Sequence, residues 1–378
     1  MKFLHLADLH LGKRLSGFSL IEDQEYILDE LFKIAESENC SAVFISGDLY
    51  DKGVPTVEAV TLLDSFLSRA ANAGILIFII SGNHDSSERV AFGSSLFNKS
   101  GIYISPSYSG TLSPVTVSDE HMTYDIYMLP FIKPVTVKRF FPNDKISSYT
   151  DAVSAALSSA KLKKDRVNIL LSHQFITGAI KSDSEEISVG GSDNVDSSVF
   201  SGFDYVALGH IHRPQSAGSE NIRYSGSPLK YSFSEADHKK SATVVEFNGS
   251  KTPQIKLIPL TPKRDLREIR GTYMELTDRN NYSGTNIDDY IHAVLTDEDD
   301  VLDAAAKLRA VYPNLMKMEY DNTRTRTAAV PIESASVNKK QPIEIFGDFF
   351  LMRNGKKLSS SQKKLAEKMI EEIWEEKK

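Results

Sequence analysis

The sequence predicts an α/β fold whose later part is rich in short strands. Apolar runs of strand length alternate with helical patterns from the N-terminus to about residue 85. Residues able to bind metal follow the ends of those runs, where open α/β sheets place their sites. From about residue 100, short strands separated by Gly, Pro and Ser turns take over, which suggests a second sheet.

The first strand, Phe3 to Ala7, ends in Asp8-Leu9-His10, and Lys13 and Arg14 follow in a loop. A helical pattern runs from Ile21 to Glu36, with Ile27, Leu28, Leu31 and Phe32 on its apolar face. The second strand, Ala42 to Ser46, delivers Gly47-Asp48-Leu49-Tyr50-Asp51. Pro55-Thr56 then opens a helix to about Asn72, closed by Gly74. The third strand, Ile75 to Ile80, is apolar throughout, as expected of a strand covered on both faces, and ends in Ser81-Gly82-Asn83-His84-Asp85. Asp151 to Leu162 reads as a helix. Val167 to Leu171 is a further inner strand ending in Ser172-His173, and Phe203 to Leu208 another, ending in Gly209-His210-Ile211-His212.

The polar stretch Lys181 to Asp196 reads as a flexible surface loop rather than a third metal site. Thr261-Pro262-Lys263-Arg264 reads as a linker. Beyond it, strands are expected over Glu268–Leu276, Tyr290–Leu295 and Met316–Tyr320, with a helix over Val301–Val311. These patterns predict domains at 1–260 and 261–320, a mobile polar linker at 321–342, and a C-terminal helical segment at 343–378. That segment carries a Ser359-x-x-Gln362 capping pattern, after which Leu365, Met369, Ile370, Ile373 and Trp374 mark one helix face. A short helix with such a face must bury it, against its own domain or against a partner.

With 378 residues, 41% hydrophobic and 25% charged, the chain has the composition of an ordinary globular protein. No run approaches the ~20 apolar residues that span a bilayer. No signal peptide is read at Met1–Asp8, and the single Cys40 excludes an internal disulfide, so a cytoplasmic location is expected. Cys40 itself reads as a small buried hydrophobe. The net charge of −7 argues against coating nucleic acid by global electrostatics, though not against an enzyme whose phosphate contacts are local.

The chemistry lies in five strand ends: Asp8-x-His10, Asp48-x-x-Asp51, Asn83-His84-Asp85, His173 and His210-x-His212. Each alone competes with a helix cap, a turn or a core histidine; together they point to a metal centre. A dinuclear site for phosphate esters needs a bridging carboxylate, a few neutral ligands, and open positions for water and substrate. Asp8 and Asp48 supply −2, while Asn83, His10, His173, His210 and His212 are neutral, leaving two divalent ions a net +2 that attracts a phosphodiester. Mixed oxygen and imidazole donors suit manganese, iron or zinc better than calcium. His84, beside a ligand, is placed to stabilise the transition state or protonate the leaving oxygen, with Asp85 holding its tautomer. Asp51 reads equally as a hydrogen-bonding support or a helix cap. His5, His121, His238 and His292 have no motif around them and read as structural.

These motifs resemble the calcineurin-like metallophosphoesterase superfamily over residues 1 to about 245. The resemblance implies a four-layer α-β-β-α sandwich. It also implies a first metal on Asp8, His10, Asp48 and His212, a second on Asn83, His173 and His210 bridged by Asp48, and His84 as the catalytic histidine. His5 to Gly12, Gly47 to Asp51, Val206 to Gln215, Tyr224 to Pro228 and Asp265 to Gly271 resemble the family's DNA-nuclease subunits in particular. That resemblance implies two divalent ions, Mn2+ by type, and 3′–5′ exonuclease activity on double-stranded DNA. It further implies endonuclease activity on single strands and hairpins, a homodimer, and an SMC-like ATPase partner docked by the tail. Residues 263–320 would cap the nuclease domain, and helices at 56–72 and 86–98 are candidate dimer surfaces. Lys13, Arg14 and Arg89, with Lys133, Lys138 and Arg139, are candidate phosphate contacts.

The alternative within the superfamily is a small-molecule or cyclic-nucleotide phosphodiesterase, which leaves the extra module and tail helix unexplained. A non-catalytic scaffold disagrees with the complete ligand set. A protein phosphatase disagrees with Asp85, since those enzymes usually carry Gly-Asn-His-Glu.

Overall fold

A computed structural model describes residues 1–185, 193–327 and 342–375. The chain divides between Asp265 and Leu266 into two units.

In the first unit, strand Lys2–Leu6 sits inside a six-stranded sheet and alternates its side chains between two cores. Leu4 and Leu6 face helices Ile21–Ser37 and Val57–Asn72, with Leu28, Leu31, Leu63 and Phe66 beneath them. Phe3 faces the other way, into a layer shared with Phe44, Phe78, Tyr124, Ile169, Tyr205 and Phe247. That layer is the seam between two sheets. The first sheet runs Gln254–Pro259, Ser241–Glu246, Lys2–Leu6, Ala42–Ser46, Leu76–Ile80, Ile102–Ile104; its last four strands are parallel. The second runs Gln215–Ala217, Ser219–Tyr224, Tyr205–Gly209, Val167–His173, Thr123–Leu129, Val115–Ser118, with an antiparallel strand at each edge. A third core, including Tyr127, Leu170 and Val206, is covered by helix Tyr149–Ser158 through Ala152, Val153 and Ala156. Helix, sheet, sheet and helix make the four layers of the expected sandwich.

Caps set several boundaries. Thr56 accepts the Ala59 amide at the start of its helix, and Ser148 and Asp151 form a reciprocal capping box. The helix expected from Asp151 therefore starts at Tyr149, and it stops at Ser158. His5 fills a polar niche in the seam: its Nδ1 lies 3.0 Å from the Tyr205 hydroxyl and its Nε2 3.2 Å from the Leu208 carbonyl. Cys40 is buried in the first core, and burial pushes its thiol up to about 11, so it packs as an unreactive group.

The second unit is built on three parallel strands, Leu266–Gly271, Tyr290–Leu295 and Leu315–Tyr320, with Tyr290–Leu295 central and fully buried. Helix Ala304–Arg309 covers them through Ala304 and Leu308. The strand expected to reach Leu276 ends at Gly271, because Thr272 and Glu275 form a capping box that starts helix Tyr273–Thr277. Part of the stretch expected as a linker is the helix Thr323–Thr327, and 328–341 lies outside the described residues. Helices Pro342–Asn354 and Ser360–Glu375 follow. The second opens on the Ser359–Gln362 box: the Ser359 amide donates to Gln362 Oε1 at 2.9 Å and the Gln362 amide to Ser359 Oγ at 3.3 Å. Between these helices Phe346, Phe350, Leu358, Leu365, Met369 and Ile370 line a groove of about 380 Å³. The side chains of Ile373 and Trp374 lie outside the described residues.

Candidate metal centre and active site

The parallel pairing of Lys2–Leu6 with Ala42–Ser46 continues past the strand ends. Asp8 donates its amide to the Gly47 carbonyl at 3.0 Å, His10 to Asp48 at 3.0 Å, and Leu11 to Leu49 at 2.9 Å. This zipper puts Asp8 and His10 beside Asp48. The second sheet joins from the far side. The His173 ring meets the Ser46 carbonyl through Nδ1 at 2.8 Å, and the His210 amide donates to Asp8 Oδ1 at 2.9 Å.

Close approach requires glycine at three strand ends. A Cβ on Gly209 would lie 1.9 Å from the Ser46 carbonyl oxygen, one on Gly82 2.1 Å from Asp48 Oδ1, and one on Gly47 2.4 Å from His173 Nδ1. Four donor residues also adopt positive φ: Asp8 at 54°, His10 at 43°, Asp48 at 50° and His210 at 106°. Such conformations cost free energy in non-glycine residues and persist only when the surroundings enforce them. Here Gln24 grips the His10 carbonyl through Nε2 at 2.8 Å and the Gly12 amide through Oε1 at 2.9 Å, while the Tyr231 hydroxyl donates to the Leu9 carbonyl.

The seven residues expected as ligands converge. His10 Nε2 and His212 Nε2 are 3.1 Å apart, and Asp8 completes a cluster with them. Asn83 Oδ1 lies 3.0 Å from both His173 Nε2 and His210 Nδ1. Asp48 Oδ2 sits between the halves, 3.7 Å from His10 Nε2 and 3.3 Å from His173 Nε2. Burial opposes charge on His173, yet the Asp48 carboxylate draws it up to about 9; burial and neighbouring cations press His210 down to about 3. Burial raises Asp8 to about 6, and although it acts the same way on Asp48, the surrounding histidines hold that carboxyl well below its usual range.

His84 lies against this group, its ring 4.8 Å from that of His10 and perpendicular to it. Its amide donates to Asp48 Oδ1 at 2.9 Å, and its Nδ1 is 3.2 Å from the Asp51 carbonyl, which fixes Nδ1 as the protonated nitrogen. That corrects the part assigned to Asp85. The Asp85 carboxylate accepts the amides of Leu49, Tyr50 and Gly82 at 2.9–3.1 Å and locks the two loops together; it does not set the His84 tautomer. Asp51 supports through both groups, its carbonyl facing His84 and its carboxylate paired with Lys13 at 2.7 Å. The Lys13 ion pair ties its loop to that of Asp51. Arg14 is exposed, donating to the Gly17 carbonyl, and Arg89 is exposed on the turn Ser87–Val90.

Sequence reasoning missed a buried charged network behind His212. Glu235 Oε1 lies 3.1 Å from His212 Nδ1, and Lys240 Nζ donates to Glu235 Oε2 at 2.5 Å and to the His212 carbonyl at 2.8 Å. Burial opposes the charge on Glu235, but His212 and Lys240 hold it well below the carboxylate range. Glu185 accepts the His212 amide at 2.8 Å, and Ser184 Oγ touches both Glu235 and His212. The loop expected at the surface thus has a buried described part, with 186–192 outside the described residues. The only hint in the sequence was an acid near Lys240 in a stretch with no motif.

Residues 1–214 match the family described as calcineurin-like phosphoesterase, and the chain belongs to that family. Residues 262–354 match the type 5 capsule protein repressor C-terminal domain. Over its length the chain is similar to SbcD proteins, named as the D component of the nuclease SbcCD. The one from Staphylococcus saprophyticus subsp. saprophyticus is 34% identical over 380 residues, covering 100% of this chain and 99% of the relative. The one from Staphylococcus epidermidis is 36% identical over 322 residues, covering 84% and 85%. A solved dimetal phosphatase from Danio rerio covers 69% of this chain and 99% of its own at 9% identity, with a TM-score of 0.38, too distant a likeness to weigh.

The residues fit the dinuclear centre such hydrolases use. Two imidazole nitrogens 3.1 Å apart present lone pairs to one point, and the two carboxylates beside them, Asp8 and Asp48, are buried. Carboxylate, amide and imidazole donors suit a divalent ion of intermediate hardness. Among the described residues, no helix is long and apolar enough to cross a membrane.

Proposed function

We propose that the chain is a metal-dependent DNA nuclease, cutting double-stranded ends 3′–5′ and single strands and hairpins internally, in DNA end processing. Its full-length similarity to the SbcD component of nuclease SbcCD carries this reading, because it extends beyond the phosphoesterase domain through the three-stranded unit and into the tail. Asp8, His10, Asp48 and His212 would hold one Mn2+, and Asn83, His173 and His210 with the shared Asp48 the other. The ions would supply Lewis-acid activation of water and phosphodiester. With Nδ1–H held by the Asp51 carbonyl, His84 would act as the imidazolium, giving its Nε2 proton to the leaving oxygen and ending as the neutral Nδ1–H tautomer.

The unit from Leu266 would cap the nuclease domain. An SbcC-type SMC-like ATPase would dock on the paired helices Pro342–Asn354 and Ser360–Glu375, where Leu365 and Met369 are exposed beside the apolar groove. Homodimerisation would use exposed apolar side chains at Val57, Val60, Phe92 and Leu96, of which Val60 and Phe92 line one groove. A partner surface accounts for DNA binding by a chain of net charge −7.

Incubating the purified chain with labelled duplex and hairpin DNA, with and without Mn2+ and with the ATPase added, tests the reading. Metal-dependent cutting is expected. Hydrolysis of bis-p-nitrophenyl phosphate with no DNA cutting under any condition would overturn it in favour of a small-molecule phosphodiesterase. Removing residues 343–378 should abolish ATPase binding while sparing hydrolysis of the small diester.

A further inference from the structure

Two phenylalanine rings border the half of the donor set formed by Asn83, His173 and His210. Phe131 stands edge-to-face on His173 with ring centroids 6.3 Å apart, and Phe175 is tilted against His210 at 6.3 Å. They reach this place from different strands. Phe131 follows strand Thr123–Leu129, and its amide donates at 2.9 Å to the carbonyl of Ser81, in the loop that carries Asn83 and His84. Phe175 stands two residues beyond His173. Both rings are half-buried. Phe175 borders the outer core of the second sheet, whereas Phe131 belongs to none of the four apolar cores. Its neighbours are His173, Tyr149 at 6.4 Å, and exposed Lys133, whose Nζ lies 6.0 Å from the ring centroid. Phe131 is thus a half-buried apolar ring outside the cores, beside an imidazole of the candidate centre and a lysine.

We infer, resting on the nuclease reading, that Phe131 and Phe175 form a stacking rim for an unpaired base adjoining the scissile phosphate, with Lys133 drawing the neighbouring phosphate. Nucleobases stack on aromatic side chains whatever their identity, and a lysine beside the ring adds attraction for the backbone. A base inside a duplex already has both faces covered and must leave the stack to use such a rim. The substrate class this selects is a single-stranded, frayed or looped nucleotide. Both phenylalanines are positioning residues, since neither reaches the reacting atoms through a polar group.

The test is Mn2+-dependent cleavage by the full chain of a labelled single-stranded oligonucleotide carrying one abasic site at successive positions. Bis-p-nitrophenyl phosphate, which has no base, is the control, and Phe131→Ala, Phe131→Tyr and Phe175→Ala are the variants. The parent should lose about tenfold in kcat/KM when the abasic site adjoins the cut. Phe131→Ala should lose a similar factor on the intact strand and no longer respond to the abasic site. Phe131→Tyr should behave as the parent, and the alanine variants should lose far more on DNA than on the small diester. Undiminished abasic sensitivity in both alanine variants, or parallel losses on DNA and the small diester, would overturn the rim. A parent that hydrolyses the diester but cuts no DNA would overturn the nuclease reading itself, and the rim with it.

Discussion

Glu235 receives the Nδ1 side of the His212 ring at 3.1 Å on one carboxylate oxygen and the Lys240 ammonium at 2.5 Å on the other. One buried acid thus fixes the tautomer of a histidine in the candidate metal centre while a buried lysine neutralises it. Groups that orient metal-binding histidines in this way typically control affinity by about 10–100-fold.

Glu235→Ala should therefore weaken Mn2+ binding by a factor of that order, measured by calorimetric titration. It should also destabilise the fold by about 3–5 kcal/mol, because Lys240 would be left buried and unpaired. The double variant Glu235→Ala/Lys240→Met should regain most of the stability but not the affinity. Recovery of both would mean that the network serves only the fold.

Gly209→Ala tests the joining of the two sheets. Its Cβ would meet the Ser46 carbonyl at 1.9 Å, so the backbone must shift between the strands that deliver Asp48 and His210. A loss of about 3 kcal/mol or more is expected in denaturant unfolding, with weakened metal binding. An unchanged unfolding midpoint would contradict the closeness of the two sheets at this edge.

His5 gives a pH dependence of stability. Burial lowers its pKa to about 3, against an ordinary 6.5. Between these values the unfolded chain binds a proton that the folded chain refuses. Stability from His5 is therefore complete above about pH 6.5 and is lost as pH falls toward 3, by several kcal/mol in the limit. The difference in unfolding free energy between the parent and His5→Gln should shrink between about pH 7.5 and about pH 5. A constant difference would contradict the buried neutral ring.

How much the sequence revealed follows from what each residue's role depends on. Asp8, His10, Asp48, Asn83, His173, His210 and His212 were legible because each stands at the end of an apolar strand, and strand ends converge in this kind of sheet. The positive φ of Asp8, His10, Asp48 and His210 was not, since Asp and His tolerate that region without requiring it; around His10 it is held by Gln24 and Tyr231, which bond the His10 and Leu9 carbonyls from elsewhere in the chain. Glu235 and Lys240 were hidden for the same reason. They reach His212 across 23 and 28 residues that include two short strands, with no pattern that links them to the histidine. Asp85 misled because adjacency to His84 suggested a contact that the turn does not make. The strand expected to reach Leu276 overlooked Thr272 and Glu275, whose spacing is itself a helix-start signal.

The centre itself is tested most directly by equilibrium dialysis of the metal-stripped chain against Mn2+, with bound metal counted by atomic emission. Two ions per chain are predicted for the parent, and one for His173→Ala, which removes a donor from one half only. A single ion in the parent, or two retained in His173→Ala with undiminished affinity, would contradict the dinuclear centre on which the functional reading stands.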